Sequence, residues 1–208
     1  MINLILKKYR NLFNISPEAK VFIIGGGEVF EKYDDYITWL QKTNLRENNN
    51  SWKTWLTNKL EYKNYQVIRI NMPNSLNAHY EEWLIWFQKY LPNINNSDVL
   101  IGHSLGGIFL AKYLSSDHKL LKKLSSVHLV AAPFNYCYDF NTKKTTLPNV
   151  SKIHLYQSFD DKIVKYKDSL LEVYSQNKNN QTNLHDFSNY GHFLIPVFPE
   201  LFNNIILS

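Results

Sequence analysis

The chain has 208 residues, of which 44% are hydrophobic and 15% aromatic. A chain of this length and composition can bury one hydrophobic core, which excludes an intrinsically disordered protein and predicts a single domain over residues 1–208. The 23 basic and 18 acidic residues give a net charge of +5. Because the lysines are scattered among asparagines, we expect no nucleic-acid partner.

The N-terminal segment MINLILKKYRNLF places its lysines after a very short apolar run, and no small-residue cleavage site follows. This order is opposite to that of a secretory signal. The sequence has no run of about 18 apolar residues that could span a membrane. Cys137 is the single cysteine and cannot form an internal disulfide, which fits a reducing compartment. These features predict a cytoplasmic protein.

Short runs rich in β-branched and aromatic residues alternate with longer amphipathic segments. The short runs predict six strands, at residues 19–24, 65–70, 98–102, 126–132, 152–158 and 182–188. The amphipathic segments predict helices at residues 52–62, 78–91, 105–116, 166–177 and 199–207. We therefore expect an α/β fold, a three-layer α/β/α sandwich with a mainly parallel sheet of about six strands.

The stretch DVLIGHSLGG carries a serine where the third predicted strand turns into a helix. Gly102, His103, Ser104, Leu105 and Gly106 fit the G-x-S-x-G pattern of a nucleophile elbow, in which the flanking glycines remove side chains that would collide with neighbouring backbone. The amide of Leu105, at the positive end of the helix, would help to bind an oxyanion. We predict that Ser104 is a nucleophile; the alternative is a buried serine in a glycine-lined turn.

A serine nucleophile needs a base and an orienting carboxylate, which in this architecture follow the serine in the order Asp or Glu, then His. Asp160 and Asp161 follow the fifth predicted strand and His192 follows the sixth, so all three lie beyond the carboxyl ends of strands. His192 is the predicted base. Either aspartate could orient it, because adjacent residues point to different sides. The histidines lack zinc-hydrolase spacing, and we predict no metal and no cofactor.

Together, the segments GHSLGG, FDDKIV and GHF resemble an α/β-hydrolase. The order of SWKTWLTNKL, VIRINMP and LIGHSLGG is similar to that of the small serine hydrolases of the retinoblastoma-binding protein 9 family, from Lys20 to the C-terminus. The resemblance implies a compact fold without a large cap domain. It also implies that Asp161 orients His192, with Asp160 as its neighbour.

The same resemblance implies a second oxyanion donor in the loop after the first strand, at the amide of Gly26 or Gly27; the alternative is a simple tight turn. The chain departs from the family pattern over an insertion at residues 28–51. Its apolar stripe could pack on the sheet or lie over the active site as a lid; the stripe consists of Phe30, Tyr33, Ile37 and Leu40.

These residues predict a carboxylesterase-like serine hydrolase that acts on a small carboxylic ester or amide through an acyl-enzyme. Amidase, peptidase and thioesterase activities remain open, because loops that the sequence does not place decide specificity. The alternative from another class is a non-catalytic module that keeps the hydrolase fold and binds a protein partner.

Overall fold

A computed structural model of the protein describes residues 19–44, 51–116, 123–134, 138–141, 150–175 and 182–207. Cys137, the single thiol, and parts of the regions 28–51 and 133–150 lie outside these ranges. Within these ranges, no helix is both long enough and apolar enough to cross a membrane.

Six parallel strands form one sheet in the order β2-β1-β3-β4-β5-β6. Their bounds are β1 Lys20–Ile24, β2 Gln66–Ile70, β3 Val99–His103, β4 Leu124–Val130, β5 Val150–Ser158 and β6 Thr182–Phe187. Each predicted strand overlaps one of them. All five residues of β3 are buried, as expected for a central strand covered on both faces. The carboxyl end of β3 therefore lies in the middle of one edge of the sheet.

Helices cover both faces of this sheet. Their bounds are α1 Tyr33–Lys42, α2 Trp52–Tyr62, α3 Tyr80–Gln88, α4 Leu105–Ser115, α5 Leu170–Ser175 and α6 Pro199–Ile206. One hydrophobic cluster joins α3, α4 and α5 to the face that carries Phe22 and Ile24. A second joins α2 and α6 to the face that carries Val21 and Ile23. Successive side chains of β1 thus point to opposite faces of the sheet, and each face is covered by helices in a three-layer sandwich. The predicted fold class is confirmed.

The helix predicted over residues 166–177 is wrong in its first half. A short 3-10 turn, Tyr166–Asp168, comes first, and α5 starts only after Ser169. Ser169 is extended because it forms an isolated antiparallel bridge with Pro133, and the amide of Leu170 donates to the carbonyl of Ala132 at 2.8 Å. Pairing with the segment after β4 therefore overrides the local helical pattern.

The start of the insertion is attached to the loop before α3, since the amide of Glu28 donates to the carbonyl of Ser75 and the carbonyl of Glu28 accepts from Ala78. Helix α1 itself has no buried residue. Of the predicted apolar stripe, Tyr33 is 68% exposed and Leu40 is 40% exposed, so this stripe does not pack on the sheet.

Aromatic side chains of α1 instead contact Phe30, which precedes the helix. The ring of Phe30 lies 5.5 Å from that of Tyr36 and 5.6 Å from that of Trp39, measured between centroids. Tyr36 also borders a surface cleft together with residues of the loop at 74–79. These rings therefore form a small aromatic cluster on the outside of the sandwich.

Candidate active site

Ser104 lies on a sharp turn between β3 and α4. Its φ of 54° and ψ of −122° are strained for a residue with a side chain, at a cost of about 1–3 kcal/mol, and the surrounding contacts hold the turn in place. The amide of Ser104 donates to the carbonyl of Val130 at 2.9 Å. A Cβ atom at Gly102 would lie 2.4 Å from the carbonyl oxygen of Gly106, and one at Gly106 would lie 2.4 Å from that of Gly25. Glycine at both positions therefore permits the close approach of β3, α4 and the loop after β1.

His192 faces this serine from the loop after β6. Its Nε2 atom lies 2.9 Å from Ser104 Oγ, and its side chain is only 8% exposed. The residues on both sides have positive φ, 52° at Gly191 and 54° at Phe193, so the loop turns sharply at the histidine. Phe193 is fully buried and its amide donates to the carbonyl of Tyr190 at 2.9 Å. Burial of the phenylalanine therefore anchors the imidazole.

Asp161 holds the other ring nitrogen of the histidine. Its Oδ2 atom lies 2.9 Å from Nδ1 of His192, and its side chain is fully buried. Its Oδ1 atom accepts from the amides of Ile163 (2.8 Å) and Val164 (2.9 Å), and Oδ2 also accepts from Nε2 of Gln157 at 3.1 Å. Four donors thus surround this carboxylate, which satisfies its buried oxygens and fixes the direction in which it faces the ring.

Asp160 faces the backbone of the histidine loop instead. Its Oδ1 atom accepts from the amide of Gly191 at 3.1 Å and from the hydroxyl of Ser158. That hydroxyl in turn accepts from the amide of Tyr190 at 3.1 Å. The hydroxyl of Ser158, followed by the amide of Gly191, lowers the pKa of the Asp160 carboxyl. The side chains of the two adjacent aspartates therefore point in different directions. Asp161 contacts the imidazole of His192, and Asp160 contacts the backbone beside it.

His103 is a second histidine at this site, which the sequence reasoning set aside. Its Nε2 atom lies 3.0 Å from the carbonyl oxygen of His192, and its Nδ1 atom lies 3.2 Å from Nζ of Lys53. A carbonyl can only accept, so Nε2 carries the proton and Nδ1 of a neutral ring accepts from the ammonium. Burial, and then the nearby positive charge of Lys53, lower the pKa of His103 well below its usual value. The ring is therefore neutral and links α2 to the histidine loop.

The predicted oxyanion donors lie around the serine. Leu105 is the first residue of α4, where an amide has no partner within the helix. A Cβ atom at Gly26 would lie 3.1 Å from the Cβ of Ser104, so this loop passes beside the nucleophile. The amides of Gly26 and Gly27 take no part in the turn and loop hydrogen bonds between described residues. The three amides therefore remain the candidates for the oxyanion donors.

A cleft of about 540 Å³ opens at Ser104. One side is the loop after β1 and the other is the segment after β5. Its apolar lining comes from Val29, Leu105, Pro133, Ile163 and Val164. The described residues contain no group of three His, Cys, Asp or Glu side chains placed to hold a metal ion. The cleft thus opens onto a hydroxyl, an imidazole and a carboxylate in a row.

Comparison with known proteins identifies a family. A family model described as Serine hydrolase matches residues 45–193, a range that contains the serine turn and the histidine loop. The chain belongs to the Serine hydrolase family. Since the match covers most of the chain, hydrolysis is the activity that family membership supports. The narrower resemblance to the retinoblastoma-binding protein 9 family remains a prediction.

One curated relative of this serine hydrolase is YdeN of Bacillus subtilis (strain 168), a protein named as a candidate hydrolase. It is 32% identical over 83 residues, which are 39% of this chain and 43% of YdeN. The aligned part thus spans less than half of that relative.

Solved structures show the fold of this serine hydrolase over a greater length. The structure of YdeN itself superposes with a TM-score of 0.71 at 20% identity, covering 91% of this chain and 97% of that one. A YdeN-like protein from Pectobacterium atrosepticum gives a TM-score of 0.62 at 15% identity, covering 91% and 90%. A serine hydrolase without a lid from Xanthomonas campestris gives 0.54 at 16% identity, covering 89% and 78%. The fold is that of an α/β-hydrolase without a large cap domain.

Proposed function

We propose that this serine hydrolase cleaves a small carboxylic ester or amide through an acyl-enzyme on Ser104. The observation that carries the proposal is the row of two hydrogen bonds, each 2.9 Å, that joins Ser104 Oγ to His192 and His192 to Asp161. A serine hydroxyl is a weak nucleophile by itself, and a base within hydrogen-bond distance activates it. The order of the three residues along the chain is that of α/β-hydrolases.

In the first half-reaction, Oγ of Ser104 attacks the carbonyl carbon while Nε2 of His192 takes the hydroxyl proton. Asp161 holds the ring by Nδ1 and stabilises the imidazolium that forms. The carbonyl oxygen becomes an oxyanion, which the amide of Leu105 and that of Gly26 or Gly27 stabilise. When the tetrahedral intermediate collapses, the bond to the leaving group breaks and Nε2 returns the proton to the departing alcohol or amine.

In the second half-reaction, water takes the place of the leaving group. Nε2 of His192 removes a proton from water as the oxygen attacks the acyl carbon, and the same amides bind the second oxyanion. Collapse breaks the bond to Ser104 Oγ, which regains its proton from the imidazolium, and the carboxylic acid leaves. The reaction needs only the substrate, water and these side chains and amides.

The cleft supports a small substrate. Its volume of about 540 Å³ lies within the usual range of small-molecule sites. Its apolar lining from Val29, Ile163 and Val164 fits a short acyl or leaving group. An ester is the first choice, because an alkoxide leaves with less help from proton transfer than an amine does.

Turnover of a short-chain nitrophenyl ester tests the proposal. We expect hydrolysis by the protein, and loss of all but a residual activity about 1,000-fold lower in Ser104→Ala. Ser188→Ala, which alters an exposed serine in the loop before His192, is the matched control and should retain full activity. Equal activity in Ser104→Ala would contradict the proposal. No turnover by well-folded protein would favour the non-catalytic protein-interaction module instead.

A further inference from the structure

A second cleft, of about 450 Å³, lies on the other side of the loop after β1. It is lined by the side chains of Lys53 and Arg69 and by polar groups of Asn71 and Ser75. Gly26 also lines it, and the backbone of this glycine passes directly beside the nucleophile Ser104. Gly26 therefore adjoins both this cleft and Ser104, and the two charged side chains that line the cleft are both cationic.

Neither cation is paired with a carboxylate in the part of the chain that the structure describes. Among the described residues no carboxylate lies within ion-pair distance of Lys53 or Arg69. Within the described ranges, Nη1 of Arg69 donates to the hydroxyl of Thr54 at 3.3 Å, and Nζ of Lys53 donates to Nδ1 of His103 and lies over the ring of Trp52. An ammonium has three donors and a guanidinium has five, so most of their N–H groups have no acceptor among the described residues and can meet an anion.

The electrostatics favour an anion in this cleft. Lys53 is partly buried and Arg69 is close to it, and burial followed by this repulsion lowers the pKa of Lys53 to about 8. Arg69 is exposed, so the partly buried Lys53 carries the cost of the repulsion, which persists until a counter-charge arrives. A carboxylate between them would relieve the repulsion and accept hydrogen bonds from both, and arginine binds a carboxylate with two parallel bonds.

We propose that this cleft is a subsite for a carboxylate of the substrate, so that the enzyme prefers esters or amides that carry a second, anionic group near the scissile bond. The inference rests on the proposed function, because it assigns the substrate class of the Ser104 site. Lys53 and Arg69 bind the anion and take no part in the proton transfers. The acyl part or the leaving group could carry the carboxylate, and substrates of both kinds distinguish these cases.

The first measurement compares charged and neutral substrates that are matched in shape. Monoethyl esters of succinate, glutarate and adipate place the anion on the acyl side, with the corresponding diethyl esters as neutral partners. The ester of acetate with 3-hydroxybenzoate places it on the leaving group, with its methyl ester as the neutral partner. In at least one series we expect kcat/KM to be about 10-fold higher for the anionic member at low salt. Equal or lower values for the anionic members of both series would overturn the proposal.

Variants then test which side chains carry the preference. Lys53→Met and Arg69→Met should each reduce the anionic-to-neutral ratio of kcat/KM by about 10-fold, while Lys53→Arg should retain most of it. Lys59→Met removes an exposed lysine from the same helix, outside the cleft, and should leave the ratio unchanged. The ratio is the readout, since Lys53 also contacts His103 and its loss could slow both substrates alike. A ratio that Lys53→Met and Arg69→Met leave unchanged would overturn the proposal.

The pH dependence of the preference for anionic esters provides a further check. A lysine with a purely structural role would not change this pH dependence. The positive or titratable groups that face Lys53 are Arg69 on β2 and His103 on β3, and His103 is neutral. Since the pKa of Lys53 is about 8, the preference for the anionic ester should fall above about pH 8 in the wild type. In Lys53→Arg it should persist to higher pH, because arginine remains protonated. The same decline in both proteins would count against Lys53.

Binding to Ser104→Ala separates this subsite from the catalytic proposal. Titration calorimetry with monoethyl glutarate and diethyl glutarate measures recognition of the anion without turnover. Tighter binding of the monoester, lost in the double variant Ser104→Ala, Lys53→Met, supports the subsite even if the wild type hydrolyses nothing. If the wild type hydrolyses neutral esters but Ser104→Ala binds both compounds equally, the subsite is wrong and the serine hydrolase mechanism stands.

Discussion

The Nε2 atom of His103 lies 3.0 Å from the main-chain carbonyl oxygen of His192, across 89 positions of sequence. The imidazole of His192 is thus held from two directions, by a carboxylate at its ring and by a neighbouring ring at its backbone. Because His103 precedes the nucleophile Ser104 directly, the same turn that presents the serine also positions the proposed base.

Loss of this contact should slow catalysis without abolishing it. His103→Leu removes the donor, and we expect kcat to fall about 10- to 100-fold with little change in KM, because a small displacement of the base weakens proton transfer. His103→Gln keeps a donor at a similar distance and should recover part of the rate. Steady-state kinetics of both variants check this. If glutamine is as damaging as leucine at equal stability, the contact to the His192 carbonyl has no positioning role.

The two adjacent aspartates should differ sharply. Asp161→Asn replaces the carboxylate at Nδ1 of His192 and should reduce kcat about 1,000- to 10,000-fold, because the imidazolium loses its charged partner. Asp160→Asn keeps an oxygen that can accept from the amide of Gly191, so we expect a loss of about 10-fold or less. Nitrophenyl ester kinetics, with circular dichroism to compare the folds, measure both. Equal losses would mean that the assignment of their roles is wrong.

Sequence patterns predicted the sheet well because its strands are short apolar runs bounded by polar turns. The VFII run of β1 and the VLIG run of β3 are buried on both faces, which is the environment that such runs indicate. The helix predicted over residues 166–177 was the exception. Its first part does not form, because Ser169 pairs with Pro133, a contact that no local pattern contains. The apolar stripe of the insertion also failed to predict packing on the sheet: α1 has no buried residue, and the ring of Phe30 contacts those of Tyr36 and Trp39, outside the stripe.

At the site, motif, chain order and strand ends could suggest Ser104, His192 and one of the two aspartates, and the family resemblance then implied Asp161. The sequence could not suggest Lys53 or Gln157, whose roles depend on contacts between side chains far apart or on the path of a turn. His103 was dismissed as a base, and the distances give it no contact with the proton that moves. The position of His103 inside the LIGHSLGG motif, directly before Ser104, was the signal that this histidine lies at the site.

The glycines of the serine turn should be intolerant of a methyl group. Gly102→Ala would place a Cβ atom 2.4 Å from the carbonyl oxygen of Gly106, so backbone must move, and we expect a loss of about 3 kcal/mol in the free energy of unfolding. Gly191→Ala meets nothing within 4 Å but keeps a φ of 52°, so its cost should be about 1 kcal/mol. Urea denaturation measures both values. The reverse order would contradict the close packing of β3 against α4.

A stack of histidines should make stability depend on pH. His128, His154 and His185 lie side by side on β4, β5 and β6, with centroid distances of 4.6 Å and 5.3 Å between successive rings. Burial, followed by the other histidines, lowers the pKa of His128 well below its usual value, and burial followed by His185 lowers that of His154 to about 4. The unfolded chain therefore binds more protons than the folded protein below the ordinary histidine pKa.

The stabilisation is complete above about pH 6.5 and is lost as the pH falls toward the lowered values. Thermal unfolding between pH 8 and pH 4 should show Tm falling by several degrees below pH 6.5. The slope should be smaller in His154→Gln than in the wild type or in His79→Gln, which lies outside the stack. An equal dependence of Tm on pH in all three proteins would rule out the histidine stack as its source.

Covalent labelling of Ser104 tests the central claim most directly. The protein and its Ser104→Ala and His192→Ala variants are exposed to a fluorophosphonate, and the adduct is detected by intact mass and located by peptide mapping. An activated nucleophile predicts one adduct on Ser104 in the wild type, none in Ser104→Ala and labelling at least about 100-fold slower in His192→Ala. An unlabelled but folded wild-type protein, or equal labelling of Ser104→Ala, would contradict the account.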